Sequence, residues 1–261
     1  MKCQNETVLH RMKLKKSPFE KIKNGIKTVE LRLNDEKRQQ VKIGDFIEFS
    51  LIDDISQKIT ARVTALHHFD SFAKLYENLP KEKIGYATDE IPDPDHMDEY
   101  YPKEKQEKYG VLGIELYMTD LQKFVDAQDM AYGLGETYET ALSEIKNGVK
   151  LTHWMWYIFP QIKGLGFSSI TAKFSIKDIA EARDYYANPI LGKRLVEICS
   201  ELINLECDDA MAVFGNPDAF KLRSCMTLFK YAAPEQEIFQ QVLDKFCMGI
   251  EDDKTTDLLG I

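Results

Sequence analysis

The hydrophobic pattern changes its period once, near Met118, and this change constrains the fold more than any motif does. Before it, apolar residues alternate with polar ones, as in half-buried strands; after it, they recur at helical spacing. Val41–Ser50 and Lys58–Leu66 both alternate, with Asp53 and Asp54 as a turn between them, and Gly110–Tyr117 supplies a strand to close the sheet. Phe19–Gly25 reads as a short helix stopped by glycine. From Leu66 to Tyr101 the pattern is helix and loop, ending in an acidic stretch with Pro92 and Pro94 that forms an ordered lid or a mobile loop.

Beyond Met118 the expected helices are Thr119–Gln128, with Thr119 as N-cap, then Thr137–Gly148, Ile179–Tyr186, Ile190–Leu205 and Glu235–Met248. The expectation is an α+β two-domain protein: residues 1–118 strand-rich, residues 119–261 all-α, with a short junction between them. A hydrophobic share of 44% and a charged share of 30% support packed cores in both.

The first residues lack the apolar core of a signal peptide and no apolar run is long enough to span a bilayer, so a soluble, cytoplasmic protein is expected. The five cysteines, Cys3, Cys199, Cys207, Cys225 and Cys247, are irregularly spaced and form no C-x-x-C pair. They read as reduced thiols, with no metal site and no cofactor expected. The net charge of −9 is unevenly spread: residues 1–45 hold 12 Lys/Arg against 6 Asp/Glu, while residues 119–261 hold 14 against 22. Phosphate attraction acts over about one Debye length, so an acidic total leaves room for a basic groove in the N-terminal part.

The most informative stretch is Gly25-Ile-Lys-Thr-Val-Glu-Leu-Arg32. As a strand it puts Thr28, Glu30 and Arg32 on one face, with Lys27 at its start. A lysine, a carboxylate and an arginine converging on one mouth supply a base or nucleophile, a proton relay and a planar fork for a phosphate or carbonyl. On composition alone such a trio forms a solvated face of weak ion pairs, each worth about 0–1 kcal/mol. Tyr100, Tyr101 and Tyr109 offer faces for base stacking or pack the sheet seam. His67-His68 has no metal-ligand spacing and reads as a strand end.

Residues Met12 to Leu116 resemble the ASCH family, through Phe19–Arg32, Ile43-Gly44-Asp45 with its strand, and Tyr100-Tyr101 leading into Tyr109–Leu112. The resemblance implies a PUA-like β-barrel with flanking helices and links the domain to RNA. One small branch hydrolyses the acetyl-amide of N4-acetylcytidine without a metal, using a lysine, a threonine and a distal glutamate. Lys27 matches the lysine. Glu30 stands where the threonine falls, with Thr28 nearby, and Glu82 is the best placement of the distal glutamate, with Glu77 and Glu104 as rivals. Arg32 would orient the substrate.

In the C-terminal half, Leu151–Ser168 holds His153 and both tryptophans, Trp154 and Trp156. As a helix it aligns His153 with Tyr157 and ends at Pro160, after which Gln161, Lys163 and Gly164-Leu-Gly166 offer donors to a flat, phosphorylated ligand. An aromatic stripe at this spacing equally suits a core. Asn216 or Asp218 caps a following helix that carries Lys221, Ser224 and Thr227 toward one side. These stretches, with Ala187–Leu195, resemble the all-α family known as domain of unknown function 1810, across residues 119–260.

Three functions are compatible with this reading. The first is an RNA- or modified-nucleoside-binding barrel that hydrolyses an amide of the acetylated-cytidine type. The second is a nucleotide- or ADP-ribose-processing activity in the helical half, through His153, Trp156, Gln161, Lys163, Asp218 and Lys221. The third is an RNA-binding adaptor whose acidic half meets a protein partner.

Overall fold

A computed structural model describes residues 7–261. Cys3 lies outside the described residues. The chain divides into two compact units, up to Asp120 and from Leu121.

The first unit runs β1 (Leu9–Leu14), α1 (Lys16–Lys23), β2 (Val29–Leu33), β3 (Phe46–Leu51), β4 (Lys58–Phe69), α2 (Phe72–Asn78), α3 (Lys103–Tyr109) and β5 (Val111–Met118). Short 3-10 turns lie at Arg38–Gln40 and Pro94–Glu99. The strands form one mixed sheet in the order β1-β3-β4-β5-β2. β1 runs parallel to β3, and every other pair is antiparallel. The register of β4 against β5 slips between Val63 and Ala65, and such a bulge bends a strand and increases its twist. The sheet thereby curls into a half-barrel, open between its edge strands β1 and β2.

Each face of the sheet has its own core. Met12, Phe49, Ile59, Leu112 and Ile114 enclose Phe19 and Ile22 of α1. On the opposite face Val29, Leu31 and Leu33 pack with Phe72 and Leu75 of α2. In β2, Glu30 stands opposite Ile114 and Arg32 opposite Leu112. Residues directly opposed in a ladder share a face, so both charged side chains point to the concave side, the one α1 covers.

The second unit contains α4 (Gln122–Met130), α5 (Tyr138–Lys146), α6 (Met155–Ile158), α7 (Ser169–Lys173), α8 (Ile179–Ala187), α9 (Leu191–Asn204), α10 (Ala210–Phe214), α11 (Asp218–Ala232), α12 (Ile238–Cys247) and α13 (Asp253–Leu259). An isolated parallel bridge joins Ile162 to Ile176. α11 is buried on most sides, from Leu222 through Cys225, Leu228 and Phe229, and packs against α8, α10, α12 and α13. Among the described residues no helix is long and apolar enough to cross a membrane.

Three local expectations are corrected. Thr119 does not cap a helix: α4 begins at Gln122, and the Thr119 hydroxyl donates to the Thr60 carbonyl at 3.1 Å. The helix read across Leu151–Pro160 shrinks to the single turn α6, so His153 lies outside it. The cause is Glu144, whose carboxylate accepts from the amides of Leu151 (2.8 Å) and Thr152 (3.2 Å), the Thr152 hydroxyl (2.6 Å) and the Trp154 indole N–H (2.7 Å). These bonds anchor Leu151–Trp154 to α5 along a non-helical path, with Trp154 at φ −131°. Neither Asn216 nor Asp218 caps α11: Pro217 holds the cap position and Asp218 is the first helical residue.

Candidate functional site

Lys27 is placed by the way α1 ends. The Gly25 amide bonds back to the Ile22 carbonyl at 2.9 Å and the Ile26 amide to the Lys21 carbonyl at 2.8 Å, a Schellman arrangement with Gly25 at φ +71°. The Lys27 amide shares the Lys21 carbonyl at 3.0 Å. The turn thus swings the chain from helix to strand and delivers Lys27 to the concave side. Gly85, at φ +99°, lies against its stem: a Cβ there would sit 3.2 Å from that of Lys27.

Glu30 is the hub. Lys27 Nζ lies 2.8 Å from its Oε2, and Arg32 Nε lies 3.0 Å from its Oε1. Its exposure is only 4%. Burial pushes the Glu30 carboxyl upward, but Lys27 and Arg32 outweigh it and hold the group below the usual carboxylate range. Glu30 is therefore an anion at neutral pH, a proton acceptor and not a donor. Glu30 Oε2 and Arg32 Nε are both buried, so these contacts are ion pairs shielded from water.

Arg32 spans the open seam of the half-barrel. Its Nη2 donates to the Lys13 carbonyl on β1 at 2.9 Å, and its Nη1 to the Tyr101 hydroxyl at 3.4 Å. Burial lowers the affinity of this guanidinium for its proton, and Glu30 more than restores it. Tyr101 in turn stacks on Phe72, ring centroids 5.5 Å apart. One side chain thus ties both sheet edges to the Pro94–Tyr101 segment.

These groups line a cavity of about 560 Å³. Its walls include Tyr76 and Tyr86, packed edge to face at 6.0 Å, and Tyr100, which is half exposed beneath Lys15 Nζ at 4.4 Å from the ring centre. Lys21 donates to the Gly85 carbonyl at 2.7 Å and holds that wall to α1. Five cations line the space, Lys13, Lys15, Lys21, Lys27 and Arg32, against two carboxylates, Glu30 and Glu99.

Of the residues singled out in the sequence, Lys27, Glu30, Arg32, Tyr100 and Tyr101 meet at this cavity. Thr28 is half-buried beside it without lining it. Glu82 does not join them: it is exposed on the turn before Ile84. Glu77 pairs with Lys74 at 2.8 Å, and Glu104 is exposed on α3. Tyr109 lies under Lys108, away from the lining. His67 sits near the end of β4, 2.9 Å from the Glu115 carboxylate. Tyr76, Tyr86 and Lys21 also line the cavity, although nothing in the local sequence pattern separates a cavity tyrosine from a core one.

The C-terminal candidates are dispersed. Trp154 is fully buried, whereas His153 and Lys163 are exposed. Trp156 lies beneath Lys221 Nζ at 4.6 Å. Asp218 is clamped by Lys150 and Lys221, each at 2.8 Å, and these partners hold it ionised against the opposing effect of burial. Only Gln161 and Lys221 of this set line a second cleft, in the helical unit. Among the described residues no group of three or more His, Cys, Asp or Glu is arranged to hold a metal ion.

A curled mixed sheet with a charged concave site, followed by a helical unit, defines the class of molecule. Residues 12–120 match the ASCH domain, and residues 118–259 match the family described as a protein of unknown function, DUF1810. The chain belongs to this DUF1810 family and carries an ASCH domain ahead of it. Among solved structures, the conserved hypothetical protein Rv1873 from Mycobacterium tuberculosis is 36% identical, covering 54% of this chain and 97% of its own, with a TM-score of 0.51. The hypothetical protein PH0355 is 30% identical over 42% of this chain and 99% of its own, TM-score 0.37. PF0455 from Pyrococcus furiosus is 31% identical over 42% of this chain and 97% of its own, TM-score 0.35. No curated protein matches the chain.

Proposed function

We propose that the half-barrel binds RNA or a modified nucleoside in the cavity around Lys27, Glu30 and Arg32. The observation that carries this reading is the cavity itself, where the buried, ionised Glu30 holds Lys27 and Arg32 at 2.8 and 3.0 Å beside the rings of Tyr76, Tyr86 and Tyr100. A nucleobase supplies polar groups along its edge for these charges and a flat face for the tyrosines. The surplus of cations around the rim favours phosphates nearby, and the ASCH match points the same way.

The same groups suit hydrolysis of an acetylated exocyclic amine. Glu30 takes a proton from an attacking water, and the Lys27 and Arg32 side chains face the oxygen that gains charge on the acetyl carbon. The C–N bond then breaks, the amine leaves with the proton from Glu30, and acetate is released. A threonine is not needed for this sequence of steps, because the carboxylate does the work of base. Chromatography of N4-acetylcytidine incubated with the full chain tests it. Cytidine and acetate should appear, and Lys27→Ala should remove turnover while the protein still unfolds in a cooperative transition. Unchanged turnover in Lys27→Ala would rule out this catalytic role.

A further inference from the structure

The helical unit has a cleft of about 440 Å³ that the half-barrel reading does not use. One wall is the start of α11, with Phe220, Lys221 and Arg223; another is the loop from Gln161 to Gly166; a third is the start of α13, with Asp252 and Lys254. All three walls are fixed. The loop is pinned by the Lys163 amide to the Ile176 carbonyl and the Ile176 amide to the Gln161 carbonyl, both at 2.8 Å. Gly166 lies so close to Thr171 that a Cβ would fall 2.7 Å from its methyl. α11 and α13 are braced through Thr227, whose hydroxyl donates to the Arg223 carbonyl at 2.9 Å and accepts the Asp252 amide at 3.0 Å.

Within this rigid frame Arg223 is underused. Its Nε is buried without a hydrogen-bond partner among the described residues, and Asp252 Oδ1 stands 3.7 Å from Nη2, beyond hydrogen-bond length. Asp252 divides its oxygens: Oδ2 accepts the Thr255 amide at 3.1 Å and hydroxyl at 2.6 Å as the cap of α13, and Oδ1 stays at ion-pair distance from Arg223. The Nη end of this arginine side chain, which is one-third exposed, presents a planar fork matched in geometry by a phosphate or carboxylate. Lys221, paired with Asp218 at 2.8 Å, and Lys254 add cations to the same lining, against the carboxylates of Asp252 and Asp253. Phe220, 53% exposed with the Arg223 guanidinium 5.8 Å from its ring centre, offers a flat apolar face beside them.

We infer that this cleft is a binding site for a small phosphorylated ligand carrying a planar ring, with the phosphate on Arg223 and Lys254 and the ring on Phe220. Arg223 supplies the directional contact, Lys254 and Lys221 supply charge, and the Gln161 amide reads polar groups on the ring. This site is independent of the half-barrel cavity.

Both tryptophans of the chain belong to the helical unit, and Trp156 lies directly beneath Lys221, so intrinsic tryptophan fluorescence reports this unit and not the half-barrel. Titrating the full chain with adenosine monophosphate, inorganic phosphate and adenosine separates the contributions of ring and phosphate. The monophosphate should give a saturable change at a lower concentration than either part alone. Arg223→Met should weaken it at least tenfold, and Arg223→Lys, which keeps the charge but loses the fork, at least threefold. Lys254→Ala, on an exposed side chain whose removal leaves the core intact, should also weaken it. A response equal for adenosine and its monophosphate, no saturable response, or affinity unchanged in Lys254→Ala and Arg223→Met would overturn the assignment.

Discussion

At the scale of single residues, two buried glutamates show how the same side chain serves opposite ends. Glu144 has its oxygens filled by four donors, so its work is structural. Burial pushes its carboxyl up, and the bonds from Thr152, Leu151 and Trp154 bring it below the ordinary range. A carboxyl depressed in the folded state stabilises fully above the ordinary carboxylate value, and that contribution is lost as pH falls through the folded value. Glu144→Ala should cost about 3 kcal/mol, through orphaned donors, in a denaturant titration at neutral pH. The difference between wild type and Glu144→Ala should shrink on acidification; a constant difference would contradict the assignment. Glu30, in contrast, is matched by two cations, Lys27 and Arg32, which it holds at the cavity. Contacting charges in such a cluster should couple by about 0.5–3 kcal/mol in a double-mutant cycle of Lys27→Met and Glu30→Gln, measured by thermal unfolding. Additive effects would mean that the 2.8 Å contact carries no energy.

At the scale of elements, the turn between α1 and β2 is where folding and function meet. Gly25 at φ +71° closes the helix and sets the direction of Lys27. Gly25→Ala meets open space but a left-handed backbone, so it should cost about 1 kcal/mol and reduce ligand binding as Lys27 shifts. A melt and a binding titration on one sample check both effects, and undiminished binding would detach the turn from the site. This turn, its stop at glycine and the alternation of Glu30 and Arg32 were legible in the sequence because each is a local signal. β1 was not. Its Leu-His-Arg-Met-Lys-Leu carries three basic-type side chains, and its partner β3 is parallel and separated in sequence by α1 and β2. β1 gives the site the Lys13 side chain at the rim and the Lys13 carbonyl that Arg32 reaches across the seam, and the second is backbone and leaves no trace in residue type. The aromatic run around Trp154 misled for a related reason. Helical spacing was present, but Glu144, seven to ten residues earlier, claimed the donors. Glu82 and the tyrosines of the cavity depend on the loop from Leu79 to Tyr101, whose path no periodicity describes.

At the scale of the whole molecule, cores are partitioned by unit and charge is not. The basic excess of residues 1–45 gathers around the half-barrel cavity, while residues 46–118, with 8 Lys/Arg against 15 Asp/Glu, and the helical unit, with 14 against 22, share the acidic excess. Each unit has its own buried core, so residues 1–120 and 121–261 expressed separately should each unfold cooperatively. A half that shows no transition by circular dichroism would contradict this. RNA binding, where it rests on the rim lysines, should weaken steeply with added salt, whereas a nucleoside held at Glu30 should be nearly indifferent to it. Whether the half-barrel recognises a nucleoside through Glu30 is decided by calorimetric titration of the intact chain with N4-acetylcytidine, at low and high salt and alongside Glu30→Gln. Binding should be saturable and salt-insensitive and should fall at least tenfold in Glu30→Gln. Equal affinity in the two proteins would show that the buried carboxylate recognises nothing.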